Sequence, residues 1–239
     1  MGALEGAVVL VTGANGGLGR EFVAQALAGG AAKVYASARR PQEWGDPRVV
    51  PLALDVTDAA SVASAAASAP DVTVVVNNAG VSPRESSLLK ATDAELREIF
   101  DTNFFGAVAV ARAFAPALAA AEGTAALIDL HSALSWHAMG GTYSTTKAAL
   151  WSATNALRLE LAPQGVQVIG VHVGWVDTPM AAGVDSPKVA PADVVAQTYS
   201  ALETGEYEVL VDDLSVRLKA GLAAPIDQLY RGLPAPAGR

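Results

Sequence analysis

Ala7-Val-Val-Leu-Val-Thr12-Gly-Ala-Asn-Gly-Gly-Leu-Gly19 reads as a buried strand that breaks into a glycine-rich turn and enters a helix at once. Parallel strands covered on both faces are continuously apolar rather than alternating, and Ala7 to Val11 fits that pattern. Glycines let the backbone turn sharply and approach a ligand closely. The helix that follows then presents unpaired N–H groups and a positive dipole end to a pyrophosphate. The spacing is Gly13, Gly17, Gly19, which is not the Gly-x-Gly-x-x-Gly of the commonest dinucleotide fingerprint. Such a turn can also be a plain strand-to-helix connection. Its place after the first strand favours dinucleotide binding.

Outward from this stretch, short β-rich runs alternate with helical ones almost to the end of the chain. Strands are expected near 7–12, 32–38, 48–54, 72–77, 124–131, 166–173 and 207–211, and helices near 17–29, 58–68, 92–121, 142–163 and 191–203. Val72-Thr-Val-Val-Val76 and Val166-Gln-Val-Ile-Gly-Val171 have the continuous apolar character of buried parallel strands. The alternation predicts an α/β fold: a Rossmann-type, doubly wound, seven-stranded parallel sheet with helices on both faces. The crossover from 39 to 47 is short and holds Pro41 and Pro47, so a helix there is a stub or missing. No linker, repeat or charge block divides the chain, and residues 1–231 are expected to form a single domain. From Leu214 one amphipathic piece leads to residues 232–239, expected to be a disordered tail.

Composition narrows the partners. The net charge of the 239 residues is −8, which argues against nucleic acid, since phosphate backbones need basic patches. Absence of cysteine removes disulfides and thiolate metal sites and makes the cytoplasm the expected compartment. The N-terminus shows no basic region or cleavage site, and Gly6 stands where a myristoylation signal wants Ser or Thr. The most apolar long stretch, Ala107 to Ala121, is interrupted by Arg112 and Pro116 and reads as a buried helix, so no membrane partner is expected. His131, His137, His172 and Asp129 match no common zinc spacing, and no metal is expected. A small molecule is the expected partner.

The strand Lys33-Val-Tyr-Ala-Ser-Ala38 ends in Arg39-Arg40. In such folds an acid at this point bonds the ribose 2′-hydroxyl, whereas an arginine accommodates a 2′-phosphate. The pattern favours NADP(H) over NAD(H), against the plainer reading of solvated arginines on a loop. Leu54-Asp55-Val56 closes the third strand at the edge where ligands of open α/β sheets bind, and Asn77-Asn-Ala-Gly80 closes the fourth. Asparagine and glycine there are also ordinary turn chemistry. Tyr143 and Lys147, four apart on an expected helix, lie on one face. A cation beside a phenol favours the phenolate and lowers its pKa, although this spacing is also that of an ordinary solvated face.

Taken together, Thr12-Gly-x-x-x-Gly-x-Gly19, Asn77-Asn-Ala-Gly80, a serine at the end of the fifth strand and Tyr143-x-x-x-Lys147 resemble the short-chain dehydrogenase/reductase family. Asn103, in Thr102-Asn-Phe-Phe-Gly106, matches the family's helical asparagine, and the resemblance runs in order from residue 4 to about 211. It implies an NADPH-preferring enzyme interconverting a ketone or aldehyde with its alcohol. Tyr143 would be the general acid, and Lys147 would lower its pKa and bond the nicotinamide ribose. Ser132 would orient the substrate oxygen, and Asn103 would hold a water linking Lys147 to solvent. Gly13, Gly17 and Gly19 would face the pyrophosphate, with Asn15 and Leu18 also binding cofactor. Asp55 and Val56 would meet the adenine. Asn77, Ala79 and Gly80 would line the adenosine and ribose side, and Ala38 and Arg39 the 2′-phosphate. Gly174, Val176 and Thr178 would border the nicotinamide. Val173 replaces the family's usual proline before Gly174, and Ser132 stands closer to Tyr143 than is usual, so Ser135 is held in reserve for its role.

Trp136, Met139, Trp175 and Met180 are candidates to wall an apolar substrate pocket, with simple packing as the alternative. The connection from Thr178 to Ala190, a lid in the family, is short. Family members associate through the helices corresponding to 92–121 and 142–163, which implies a homodimer or homotetramer. Two rival readings stand beside the reductase. One is an NAD(H)-dependent alcohol or amino-alcohol dehydrogenase of the same fold. The other is a non-catalytic NADP-binding sensor or scaffold, which would not need Tyr143, Lys147 and Ser132 together.

Overall fold

Val9 and Val11 leave β1 (Val8–Thr12) on one face and Leu10 on the other, and all three are fully buried. Successive side chains alternate across a sheet, so helices must cover both faces. On the Val9 side lie α1 (Gly17–Ala28) and α6 (Pro191–Thr204), which bury Phe22, Val23, Val194 and Tyr199. On the Leu10 side lie α2 (Ala59–Ser68), α4 (Ala107–Ala120) and α5 (Thr142–Leu161), which bury Val62, Phe114, Leu118 and Leu161. Truncating a fully buried aromatic such as Phe114 to alanine costs about 3–5 kcal/mol in such a core.

The computed structural model describes residues 2–231 and Leu233. After β1 come β2 (Lys33–Ala38), β3 (Val49–Ala53), β4 (Val74–Asn77), β5 (Ala126–Leu130), β6 (Gln167–His172) and β7 (Glu208–Leu210). They form one seven-stranded parallel sheet in the order β3-β2-β1-β4-β5-β6-β7. Strand order reverses between β1 and β4, and helices diverging to opposite faces there leave a crevice at the carboxyl ends. The strands fall where the sequence puts them, and β2 joins β3 without a helix.

The expected helix over 92–121 is continuous but not uniform. It opens at α3 (Asp93–Phe100) with a capping box between Thr92 and Glu95, passes through a π-helical stretch at Asp101–Gly106, and continues as α4. The widened turn carries Asn103 and leaves it buried. By length and composition Asp93–Ala120 is apolar enough to cross a membrane, yet Val110, Ala111, Phe114 and Leu118 lie against the sheet.

The end of the chain departs from the single amphipathic piece expected. It forms α7 (Asp213–Ala220), a 3-10 turn at Gly221–Ala223 and α8 (Ile226–Leu229), separated by Pro225. Tyr230 then returns to the loop between β5 and α5, where its hydroxyl accepts from Ala138 N at 3.2 Å and its ring lies 4.6 Å from that of His137. Apart from Leu233, the expected tail at 232–239 lies outside the described residues.

Candidate active site

Thr12 ends β1 with its hydroxyl inside the crevice floor, donating to Val76 O at 3.3 Å and accepting from Asn78 N and Ala79 N, each at 3.0 Å. The Asn78 amide donates to Thr12 O at 2.8 Å and Gly13 O at 3.2 Å, so the end of β4 clamps the glycine turn. Gly13 and Gly17 have φ of +67° and +51°, the left-handed region that favours glycine. At Gly19 a Cβ would run into Gly13 O and sit 2.9 Å from Ala14 Cα. The N-cap of α1, Gly16, has no side-chain cap bond, which leaves the first N–H groups of the helix directed at the crevice.

Two adjoining cavities follow from this floor. The first, about 720 Å³, runs over β2 and β3 and is lined by Gly13, Asn15, Ala38, Arg39, Asp55, Val56, Ala79 and Gly80. Arg39 and Arg40 stand exposed on its rim, with no carboxylate at the end of β2. Asp55 is held below the usual carboxylate range by hydrogen bonds from Thr57, with the Arg39 charge adding to the effect. The second cavity, about 650 Å³, shares Gly13, Ala79, Gly80 and Val81 with the first. It reaches Gly17, Leu18, Ser132, Tyr143, Lys147, Gly174, Val176 and Thr178.

At the centre of the second cavity, α5 brings Tyr143 and Lys147 together as their spacing predicts, with the ammonium 5.8 Å from the ring centroid. Lys147 Nζ donates to Leu130 O at 2.7 Å. Burial lowers its pKa to about 8, opposed by the charge of Asp129. Burial pushes the Tyr143 phenol the other way, to about 12, and the Ser132 hydroxyl facing it pulls it down. Burial thus sets the net position of the phenol above its ordinary value, with Ser132 pulling against it. Ser132, at the end of β5, takes the expected place on the cavity wall. Ser135 does not line it, and instead its hydroxyl accepts from Ser132 N at 3.4 Å, within a local cap.

Other expected site residues are relocated by the structure. Asn77 is buried, its amide donating to Ala107 O at 3.0 Å and Asp129 Oδ1 at 2.9 Å, so it ties β4 to its neighbours and Asn78 faces the crevice. Gly19 supports the turn from behind rather than lining either cavity. Asn103 engages Val81 through both N–H and C=O, at 2.8 and 3.0 Å, and also reaches Thr146 Oγ1 at 3.3 Å. It thereby fixes the segment after β4 beside Lys147. Trp136 is no pocket wall: it is buried, stacked on His172 at 3.9 Å and edge-on to Trp151 at 6.2 Å. Met139, Trp175 and Met180 do line the second cavity.

His131 and His172 stack at 4.6 Å beneath the site, and burial takes both below the ordinary histidine range, His172 to about 3. His172 Nδ1 lies 3.2 Å from Ser132 O and so supports the serine's backbone. The turn after β6, which lacks the proline, is held by other means. Ala133 N donates to Val173 O at 2.9 Å, and Gly174 N to the Asp212 carboxylate at 2.7 Å. Leu134 and Leu214 also line the cavity; neither carries a local sequence signal, because only the tertiary fold brings them to the mouth.

The family model described as short chain dehydrogenase matches residues 7–188. A short-chain dehydrogenase from Burkholderia cenocepacia, solved in complex with NADP, superposes with a TM-score of 0.86 at 40% identity, covering 94% of this chain and 95% of that one. An NADPH-bound carbonyl reductase from chicken fatty liver superposes with a TM-score of 0.77 at 27% identity, covering 83% and 92%. Among curated proteins, galactitol 2-dehydrogenase (L-tagatose-forming) of Cereibacter sphaeroides is 34% identical over 196 residues, 74% of each chain.

Proposed function

This chain belongs to the short-chain dehydrogenase family, and from that premise we propose the catalytic roles of its residues and its preference for NADPH. It is an oxidoreductase that moves hydride between NADP(H) and a ketone or aldehyde and the corresponding alcohol. The observation that carries this reading is the meeting of Tyr143, Ser132 and Lys147 on a cavity continuous with the arginine-rimmed groove.

The cofactor fits the residues present. The turn at Gly13 and Gly17 and the uncapped N-terminus of α1 suit a pyrophosphate, and Arg39, with no carboxylate at the end of β2, suits a 2′-phosphate. When bound, NADPH supplies the hydride. The protein's own work is on the carbonyl oxygen. Ser132 donates a hydrogen bond that orients it, and Tyr143, protonated at neutral pH, gives it a proton as negative charge develops. Lys147 sits beside Gly80 at the cofactor end, suited to the nicotinamide ribose, and its positive charge favours loss of the phenol proton. In the alcohol-oxidising direction the same phenol takes the proton back.

NADPH and NADH consumption, followed side by side with a panel of neutral ketones, tests this. Turnover should favour NADPH and fall by about 10²–10⁴-fold in Tyr143→Phe. Ala38→Asp should move the preference toward NADH by placing a carboxylate where a 2′-phosphate would sit. Turnover unchanged in Tyr143→Phe would remove the phenol from the chemistry.

The same reading makes the protein a cytoplasmic homodimer or homotetramer that acts on small molecules away from membranes and nucleic acids. Its lack of cysteine and net charge of −8 support the compartment and the absence of nucleic acid. Exposed Phe105, in the π-helical stretch, and Leu159, on α5, support association through these two helices. Light scattering should give a multiple of the monomer mass, reduced by Leu159→Glu.

A further inference from the structure

The second cavity is almost without charge. Among the described residues its lining holds no Asp, Glu or Arg, and its only lysine is Lys147. That ammonium is bonded to Leu130 O and stands 4.0 Å from where a Cβ of Gly80 would be, at the cofactor end. His131, which also borders the cavity, is buried with neither ring nitrogen hydrogen-bonded among the described residues, and burial keeps it neutral. The amide of Asn78 is spent on Thr12 and Gly13. Around the mouth, large apolar side chains face solvent: Met139 is 81% exposed, Met180 54% and Trp175 39%.

We propose that the substrate is a neutral, apolar carbonyl compound, and that these walls discriminate against carboxylate, phosphate and polyol substrates. The proposal rests on the oxidoreductase reading above and adds the substrate class. A carbon-rich body covers Met139, Trp175 and Met180 and releases their hydration water, and flexible thioethers adapt to its outline. An anion entering the same space sheds its water and finds no guanidinium to replace it. Beyond Ser132 and Tyr143, which serve the reacting oxygen, a chain of hydroxyls meets only Ser82, Ser86, Thr178 and the buried ring of His131 among the described residues, too few partners for a polyol. The galactitol 2-dehydrogenase relative is named for such a polyol, so on this proposal the two proteins part at the cavity wall.

The test uses ethyl benzoylformate and benzoylformate, which share a ketone and a ring and differ in charge. With NADPH, kcat/KM should favour the ester by at least about 100-fold, as expected when an anion is buried without a partner. Met180→Arg should cut that ratio at least about tenfold, chiefly by raising the acid. Binding of the same pair to the Tyr143→Phe protein loaded with NADPH, measured by calorimetry, reads the walls independently of turnover. Selective binding of the ester without turnover of any ketone by the unmutated protein would sink the oxidoreductase reading and leave the wall proposal standing. Equal kcat/KM or equal binding for acid and ester would overturn the proposal, as would failure of the NADPH-loaded protein to bind either.

Discussion

Tyr143 and Lys147 are moved by burial in opposite directions, to about 12 and about 8, so at neutral pH both keep their protons. A phenol in that state is equipped to donate, which suits reduction. Reductive kcat/KM should hold level through neutral pH and fall above about pH 8, as Lys147 loses the charge that helps the phenol release its proton. Lys147→Arg should move that descending limb upward, because guanidinium does not titrate in this range. A limb that stays in place would assign it to another group. Both residues were legible in the sequence, since their spacing alone puts them on one helix face. Their pKa values were not. The outcome depends on how far Leu130, Ser132 and the cavity walls exclude water, and no local pattern records that.

The strand–turn–helix unit at Thr12 to α1 owes its shape to close backbone approach. Gly19→Ala would press a Cβ against Gly13 O, disturbing the turn from behind. It should weaken NADPH binding at least about tenfold and cost about 1–3 kcal/mol, read by fluorescence titration and thermal melting. Gly16→Ala is the comparison, because a Cβ there meets nothing within 4 Å. Equal effects in the two variants would show that the close contact is not what matters. At this scale the sequence was most readable, because buried parallel strands carry continuous apolar runs and their breaks mark the carboxyl edge. What escaped it were choices of side. Asn77 and Asn78 are neighbours of the same type, and only the register of β4 against β5 sends one into the interior and the other to the crevice. Trp136 could face pocket or core until His172 supplied a stacking partner. The π-helical stretch at 101–106 keeps the apolar pattern of a plain helix, and the bonds of Asn103 to Val81 lie beyond any periodicity.

Across the whole molecule, His131 and His172 make stability depend on acid. The unfolded chain binds protons on these rings as pH falls through about 6.5, whereas the folded protein resists until about 3 at His172 and also keeps His131 neutral. Their contribution is complete above about pH 6.5 and is lost as pH falls toward 3. Asp129, whose pKa is raised by burial, acts in the opposite sense. Between pH 7 and pH 4 the unmutated protein should lose thermal stability more steeply than His172→Gln, with a difference on the order of 4 kcal/mol over the full window. Parallel melting curves for the two proteins would remove His172 from the account. The return of Tyr230 to Ala138 has a consequence of another kind. Met139, at the cavity mouth, rests on a loop that the last helices steady from outside, far along the chain from the proton donor. Sequence drift in those helices can therefore alter which compounds an ancestral enzyme accepts while its reacting groups stay untouched, giving descendants new diets on inherited chemistry.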